Sequence, residues 1–251
     1  MSSALRQVQT PKKLLTVPAP SRKRKRQVDD EQRDDSVHSS AKKELWISKF
    51  SLTMNHKRRL LEHLRLEDSH INAFQDLIPQ SFASQGWQNV AVGHVGFDFA
   101  PAPSVQILHN GANHWLTSAS TSVGVLVADS LLAEPNLVIC QQLLNLYCKP
   151  EGQAWLDVTY IDVQRQSGET QCGDFAIAFA AAFASGKSAK AIRALRFDQD
   201  RMRSHLTACL CADRFSHFPA SKQSADLFCT TIPRPVVYRI AKVDASYTRQ
   251  A

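Results

Sequence analysis

A chain of 251 residues with 43% hydrophobic content can bury one sizeable core. Its net charge of +7 is uneven: residues 1–43 hold 11 Lys+Arg against 5 Asp+Glu, while residues 44–251 hold 19 against 18. The near-neutral body argues against a general nucleic-acid surface, and six Cys at irregular spacings argue against a disulfide framework.

Residues 1–43 are rich in Ser, Pro, Lys, Arg, Gln and Asp and poor in large apolar residues, so a disordered tail is expected. Within it, Arg22-Lys23-Arg24-Lys25-Arg26 is a compact basic run of the kind read by nuclear import receptors. The acidic run from Asp29 to Asp35 would offset phosphate attraction nearby, which disfavours a DNA-binding arm. A nuclear location follows as an expectation. Met1 is followed by polar residues rather than an apolar signal, and no apolar run reaches membrane-spanning length. A reducing compartment is therefore expected.

Composition turns globular near Glu44, and one domain is expected over residues 44–220. Leu60, Leu61 and Leu64 mark a short helix over Lys57 to Leu64. Ile71, Ala73, Phe74, Leu77, Ile78 and Phe82 form the core stripe of a second helix over Asp68 to Phe82, capped by Asp68 or Ser69. After Pro101-Ala102-Pro103, strand signals dominate. Val105, Ile107 and His109 alternate, Asn110-Gly111 supplies a turn, His114 to Thr117 resumes, and Gly124 to Ala128 follows.

A hairpin centred between Thr121 and Ser122 would set His114 opposite Asp129, although Gly124 could move the turn. A Leu-rich helix over Leu137 to Tyr147 and the strand-like WLDVTYIDVQ come next. Phe197 to Ala212 reads as a further helix. Residues 221–251 read as a polar C-terminal tail with one strand-like segment, VVYRI.

The stretch QRQSGETQCGDFAIAFAAAFA, Gln164 to Ala184, is the most informative. Its second half has no polar face, so a helix here must be buried all round, ending at Ser185-Gly186. Cys172 then stands at a helix N-terminus, where unpaired N–H groups favour a thiolate. A free Cys is also a common small core residue. What raises the chemical reading is the presence upstream of a base, an orienting acid and an amide.

Taken together, VQILHNGANHWLTSAS, VLVADSL, VQRQSGETQCGDFAIAFA and FDQDRMRSHLTACL resemble the ubiquitin-like-protein proteases, the SUMO/NEDD8-specific cysteine proteases. The likeness is greatest to shorter members found with mobile elements and spans roughly residues 45 to 220. The family pattern is His-Trp, an Asp ending the next strand, and a Gln six residues before Cys-Gly. Here these are His114-Trp115, Asp129, Gln166 and Cys172-Gly173.

The resemblance implies an α+β, papain-like fold, with Cys at the N-terminus of a buried helix packed on a mixed or antiparallel sheet carrying His and Asp. It implies Cys172 as nucleophile, His114 as base, Asp129 as orienting acid, and Gln166 with the Cys172 N–H as oxyanion hole. Trp115 would line a narrow channel for a Gly-Gly tail. The substrate implied is the C-terminal peptide or isopeptide bond of a SUMO-like or NEDD8-like modifier. A monomer without cofactor or metal is expected.

Other readings stand beside these. Trp115 can be plain core, Asp129 a simple strand end, and Gln164 competes with Gln166. His205, Cys209, Cys211 and His217 lie close enough to suggest zinc, but Cys-x-Cys on a helix points its thiols apart.

Three departures from the family pattern matter. Gln171 replaces the acidic residue before Cys. Asp174 takes a normally apolar place, facing either the thiolate or solvent. Arg65-Leu66-Glu67-Asp68 aligns with Trp-Leu-Asn-Asp, which puts Arg65 where a second channel Trp is expected. A pseudo-protease that binds a modifier without cleaving it, or a nuclear accessory protein of a mobile element, is the alternative.

Overall fold

The computed structural model describes residues 13–18, 44–149, 154–219 and 235–243. The basic run Arg22-Lys23-Arg24-Lys25-Arg26 lies outside them. The principal sheet has six strands: β1 (Lys13–Pro18), β4 (Ser104–His109), β5 (Trp115–Thr121), β6 (Gly124–Ala128), β7 (Trp155–Ile161) and β8 (Val236–Val243). Their order is β1-β8-β7-β6-β5-β4, with β6–β7 and β8–β1 parallel and the other pairs antiparallel. A small ribbon of β2 (Leu45–Ile47) and β3 (Leu52–Thr53) precedes the helices. The helices are α1 (Met54–Leu61), α2 (Asp68–Ser81), α3 (Leu137–Tyr147), α4 (Cys172–Ala184), α5 (Ala189–Ala194) and α6 (Gln199–Cys211). This is the α+β architecture expected.

Parallel neighbours cannot be joined by a tight turn. The β6-to-β7 crossover is α3, which packs with Leu108, Leu116, Val127, Val158, Tyr238 and Ile240 on one face of the sheet. The other face, through Ile107, Trp115, Ala119 and Leu126, receives α4, which is in turn covered by α2, α5 and α6. Adjacent residues such as Ile107 and Leu108, or Trp115 and Leu116, therefore feed opposite cores. With both faces covered, the central strands need no polar side.

Every residue of α4 from Cys172 to Phe183 is buried. Phe175 and Phe179 are fully so, each worth about 1.5–3 kcal/mol of burial. The helix stops where expected. Gly186, at φ +76°, lets its N–H reach the Phe183 carbonyl, and Lys187 N reaches the Ala182 carbonyl at 3.1 Å. This pair of bonds satisfies carbonyls that the helix itself leaves open.

Two expectations are corrected. The hairpin between β5 and β6 pairs Thr121 with Gly124, so it centres between Ser122 and Val123 and Thr117 faces Ala128. Gly124, at φ +115°, shifts the turn by one residue. His114 and Asp129 thus lie diagonally just past the ladder, rather than directly opposite.

The second correction concerns the domain limits, since Lys13–Pro18 and Val236–Val243 belong to the sheet. KLLTVP is a six-residue strand whose partner lies at the other end of the chain. Averaging composition over residues 1–43 hides it. Val17 is buried in the α3-side core, and Lys13 bonds Glu134 and sits over the Tyr238 ring.

Deleting residues 1–12 should leave the thermal midpoint unchanged, whereas deleting 1–18 should lower it by about 5 °C or more. Burial of Val17 alone is worth roughly 2 kcal/mol, and each kcal/mol moves a domain of this size by about 2–4 °C. Equal midpoints for the two truncations in a thermal melt would mean that β1 does not contribute.

Candidate active site

The α1–α2 connection is held unusually firmly. His56 accepts the Thr53 N–H at 2.8 Å and His70 accepts the Glu67 N–H at 3.2 Å, so each helix start is closed by an imidazole three residues in. Glu67, rather than Asp68 or Ser69, is the cap of α2. Burial lowers the His70 pKa to about 4, and its Nε2 bonds the His56 carbonyl at 3.0 Å. Arg59 donates twice to the Arg65 carbonyl, at 3.1 and 2.9 Å, and pairs with Glu67 at 3.1 Å.

The segment so fixed lays Leu66 over the start of α4. A Cβ on Gly173 would lie 3.0 Å from Leu66 Cβ and Cδ1. The glycine after Cys172 is thus a clearance requirement as well as a motif position.

His114 closes the five-residue loop between β4 and β5. Asn110 Oδ1 accepts from the backbone N–H groups of Ala112, Asn113 and His114 at 3.0–3.1 Å, while Asn110 N donates to the His114 carbonyl. One asparagine side chain thereby shapes the loop, as this residue type does in turns. Beyond the ladder, His114 Nε2 donates to Asp129 Oδ1 at 2.6 Å. Asp129 also accepts from Leu131 N at 2.8 Å and Ala133 N at 3.2 Å, so its carboxylate cannot swing away.

The pair is almost wholly buried. Burial works against a charged imidazole here. Interactions with Asp129 and Cys172 outweigh it and push the His114 pKa up to about 9. Cys172 Sγ lies 3.8 Å from the Asn113 carbonyl, beside His114. Three residues from two strand ends and a helix start thus meet at one pole of the molecule.

The two glutamines separate clearly. Gln164 Oε1 accepts the Phe197 N–H at 2.5 Å and its Nε2 donates to the Phe197 carbonyl at 3.1 Å, a structural clasp. Gln166 is anchored by Ser130, whose carbonyl takes the Gln166 N–H and whose hydroxyl donates to Gln166 Oε1 at 2.7 Å. Its Nε2 donates to the Gly168 carbonyl at 2.5 Å, and an amide nitrogen has a second proton to give. Ser130 follows Asp129 directly, so acid and amide are set by consecutive residues.

Trp115 is 4% exposed and donates its indole N–H to the Leu66 carbonyl at 3.1 Å. The ring lying against it is His109, at 4.4 Å between centroids. Arg65 precedes Leu66 and is half-buried.

Asp174 needs a correction. It faces neither the thiolate nor solvent, being 1% exposed and paired with Arg203 of α6, Nε to Oδ2 at 2.7 Å. Burial raises its pKa to about 6, with Arg203 only partly offsetting it.

On α6, Cys209 is buried and Cys211 exposed, the divergence that helix geometry requires. His205 Nε2 bonds the Ser216 carbonyl, and His217 packs against Phe82. Sequence reasoning missed Asn110, Ser130, His109 and Arg203. For Asn110 the Asn-Gly pair is a sequence signal, but it marks only the turn and not the side chain that shapes the loop.

A cavity of about 1000 Å³ lies at the far end of α4, against Pro79, Pro103, Val105, Leu126 and Phe183. It lies away from Cys172.

No family model and no curated protein matches the sequence. Solved structures do match. SUMO protease Ulp1 with its catalytic cysteine oxidised to a sulfonic acid is 15% identical, over 66% of this chain and 86% of that one, with a TM-score of 0.54. The sulfinic acid form is 15% identical over 69% and 90%, with a TM-score of 0.55. At this identity the likeness is one of fold: the chain has the α+β, papain-like fold of the Ulp1 SUMO proteases.

Proposed function

We propose that the chain is a cysteine peptidase that cleaves after the C-terminal Gly-Gly of a ubiquitin-like modifier of the SUMO type. The observation that carries this reading is the convergence of Cys172, His114 and Asp129, with His114 held as an imidazolium well above neutral pH. The Ulp1-like fold supports the substrate class.

In the first step the Cys172 thiolate attacks the carbonyl carbon of the terminal glycine, and the carbonyl π electrons move to oxygen. The Cys172 N–H and the Gln166 amide donate to that oxyanion, an interaction typically worth about 2.7–4 kcal/mol per donor. Collapse breaks the C–N bond as His114 gives its proton to the leaving amine, leaving a thioester. His114 then takes a proton from water, the hydroxide attacks the thioester, and Cys172 departs as thiolate with the modifier carboxylate released. Asp129 holds the ring orientation and offsets the imidazolium charge throughout.

Arg22-Lys23-Arg24-Lys25-Arg26 would deliver the enzyme to nuclear conjugates through an import receptor. A second reading, a modifier-binding pseudo-protease, is favoured by one observation. Trp115, where a channel wall is expected, offers little surface, and His109 lies against its ring.

A SUMO-type modifier with a C-terminal vinyl electrophile should form an adduct at Cys172 that disappears in Cys172→Ala and falls sharply in His114→Ala. Failure of every SUMO-type and NEDD8-type probe to label folded wild-type protein would favour the second reading.

For His114 the native ring keeps its proton up to about pH 9, while the unfolded ring loses it near 6.5. The stabilisation it contributes is therefore full below pH 6.5 and lost between 6.5 and 9. The thermal midpoint should fall across that window, and less so in His114→Gln. Identical slopes would remove His114 as the cause.

Arg65→Trp should raise turnover on a Gly-Gly substrate about tenfold, or about 1.4 kcal/mol, by completing a channel wall that holds the scissile bond near Sγ. Unchanged turnover in a folded variant would count against this channel assignment.

A further inference from the structure

The buried pair Asp174–Arg203 has no part in the chemistry just described, and stability does not account for it. Asp174 places a charge in the first turn of a helix that is apolar from Phe175 to Ala184. Both partners are nearly inaccessible, at 1% and 3% exposure, and each keeps an unbonded polar atom, Asp174 Oδ1 and Arg203 Nη1. Buried ion pairs are often matched or bettered by apolar residues of similar volume. The upward shift of the Asp174 carboxyl says the same, since its charged form is less favoured in the fold than in water.

What the pair does reach is the loop. Arg203 Nη2 donates to the Thr170 carbonyl at 3.0 Å. That carbonyl precedes the cap residue Gln171, so α4 supplies no donor for it. One turn earlier on α6, Gln199 Oε1 accepts from Ser167 N at 3.0 Å and Ser167 Oγ at 3.1 Å. The segment from Gln166 to Gln171 is thus pinned to α6 at both ends, and it joins the two donors assigned above to the oxyanion.

We propose that Arg203, oriented by Asp174, is a positioning residue that fixes the Gln166–Gln171 loop so that its amide and the Cys172 N–H converge on one point. This rests on the peptidase reading. The planar guanidinium is what allows it, because one fork can hold a carboxylate and a carbonyl at once. A lysine in the same place keeps the charge but offers a single point, and cannot hold both in fixed geometry.

The test uses the full chain with two variants, Arg203→Lys and the apolar double substitution Asp174→Leu with Arg203→Met. Each is read by hydrogen exchange of the Ser167–Cys172 amides, and by hydrolysis of a SUMO-type modifier carrying a C-terminal aminocoumarin amide. Both variants should melt cooperatively. In both, loop exchange should quicken, and kcat should fall about tenfold with KM within twofold of wild type.

Folded variants with wild-type loop exchange, or with faster exchange and unaltered kcat, would overturn the proposal. So would failure of both to fold, which would make the pair a stability element. If wild-type protein does not hydrolyse the substrate, the peptidase reading fails instead, and exchange alone still decides whether Arg203 holds the loop.

Discussion

A helix with no polar face must be enclosed on every side, and α4 imposes that requirement on the whole fold. The sheet covers it through β4 and β5, α2 and α6 cover its flanks, and the aromatic side chains of Phe197, Phe215 and Phe218 close the remaining gap. Enclosure also determines where chemistry can happen. The ends of such a helix are the places where backbone groups remain open, and the C-terminal end is finished by Gly186. Only the N-terminal end is left to act on a ligand, and Cys172 is its first residue.

Around that end the structure spends buried polar groups freely. Asp129, Ser130, His114, Asp174 and Arg203 are all nearly inaccessible, within a few residues of one another in space or sequence. Such groups are tolerable when each finds partners. Asp129 meets this condition with three donors, and so its geometry is rigid. The Asp174–Arg203 pair meets it only in part. A polar cluster that is not optimal for folding, placed beside a candidate nucleophile, is where sequence rules for stable cores are expected to break down.

Much of this was legible beforehand, for identifiable reasons. Helices α3 and α4 and strand β6 are strongly patterned over their own length, and local patterning places them correctly. His114, Asp129 and Cys172 stand out as candidates because each lies at a strand end or a helix start, whereas Gln166 is singled out only by the family pattern. The parts that were missed depend on distant partners. The strand Lys13–Pro18 is visible only once β8 is known, and Asp174 could not be oriented without Arg203 on α6. The hairpin register turned on one glycine. Arg65 stands beside Leu66, whose carbonyl takes the Trp115 indole N–H, but the ring that lies against the indole is His109, a neighbour across the β4–β5 ladder that no local signal singles out.

The pairing of Lys13 with Tyr238 has a consequence for biosynthesis. Among the described residues, everything that surrounds Cys172 lies between residues 44 and 219, so it can leave the ribosome before β8 is free to pair. Until then β7 presents a bare row of amide and carbonyl groups, and β1, though made first, has nowhere to dock. A nascent molecule therefore passes through a stage in which the surroundings of Cys172 are built and its sheet is open, the form most exposed to mispairing with foreign strands. Its yield in the cell should depend on how quickly the last strand arrives.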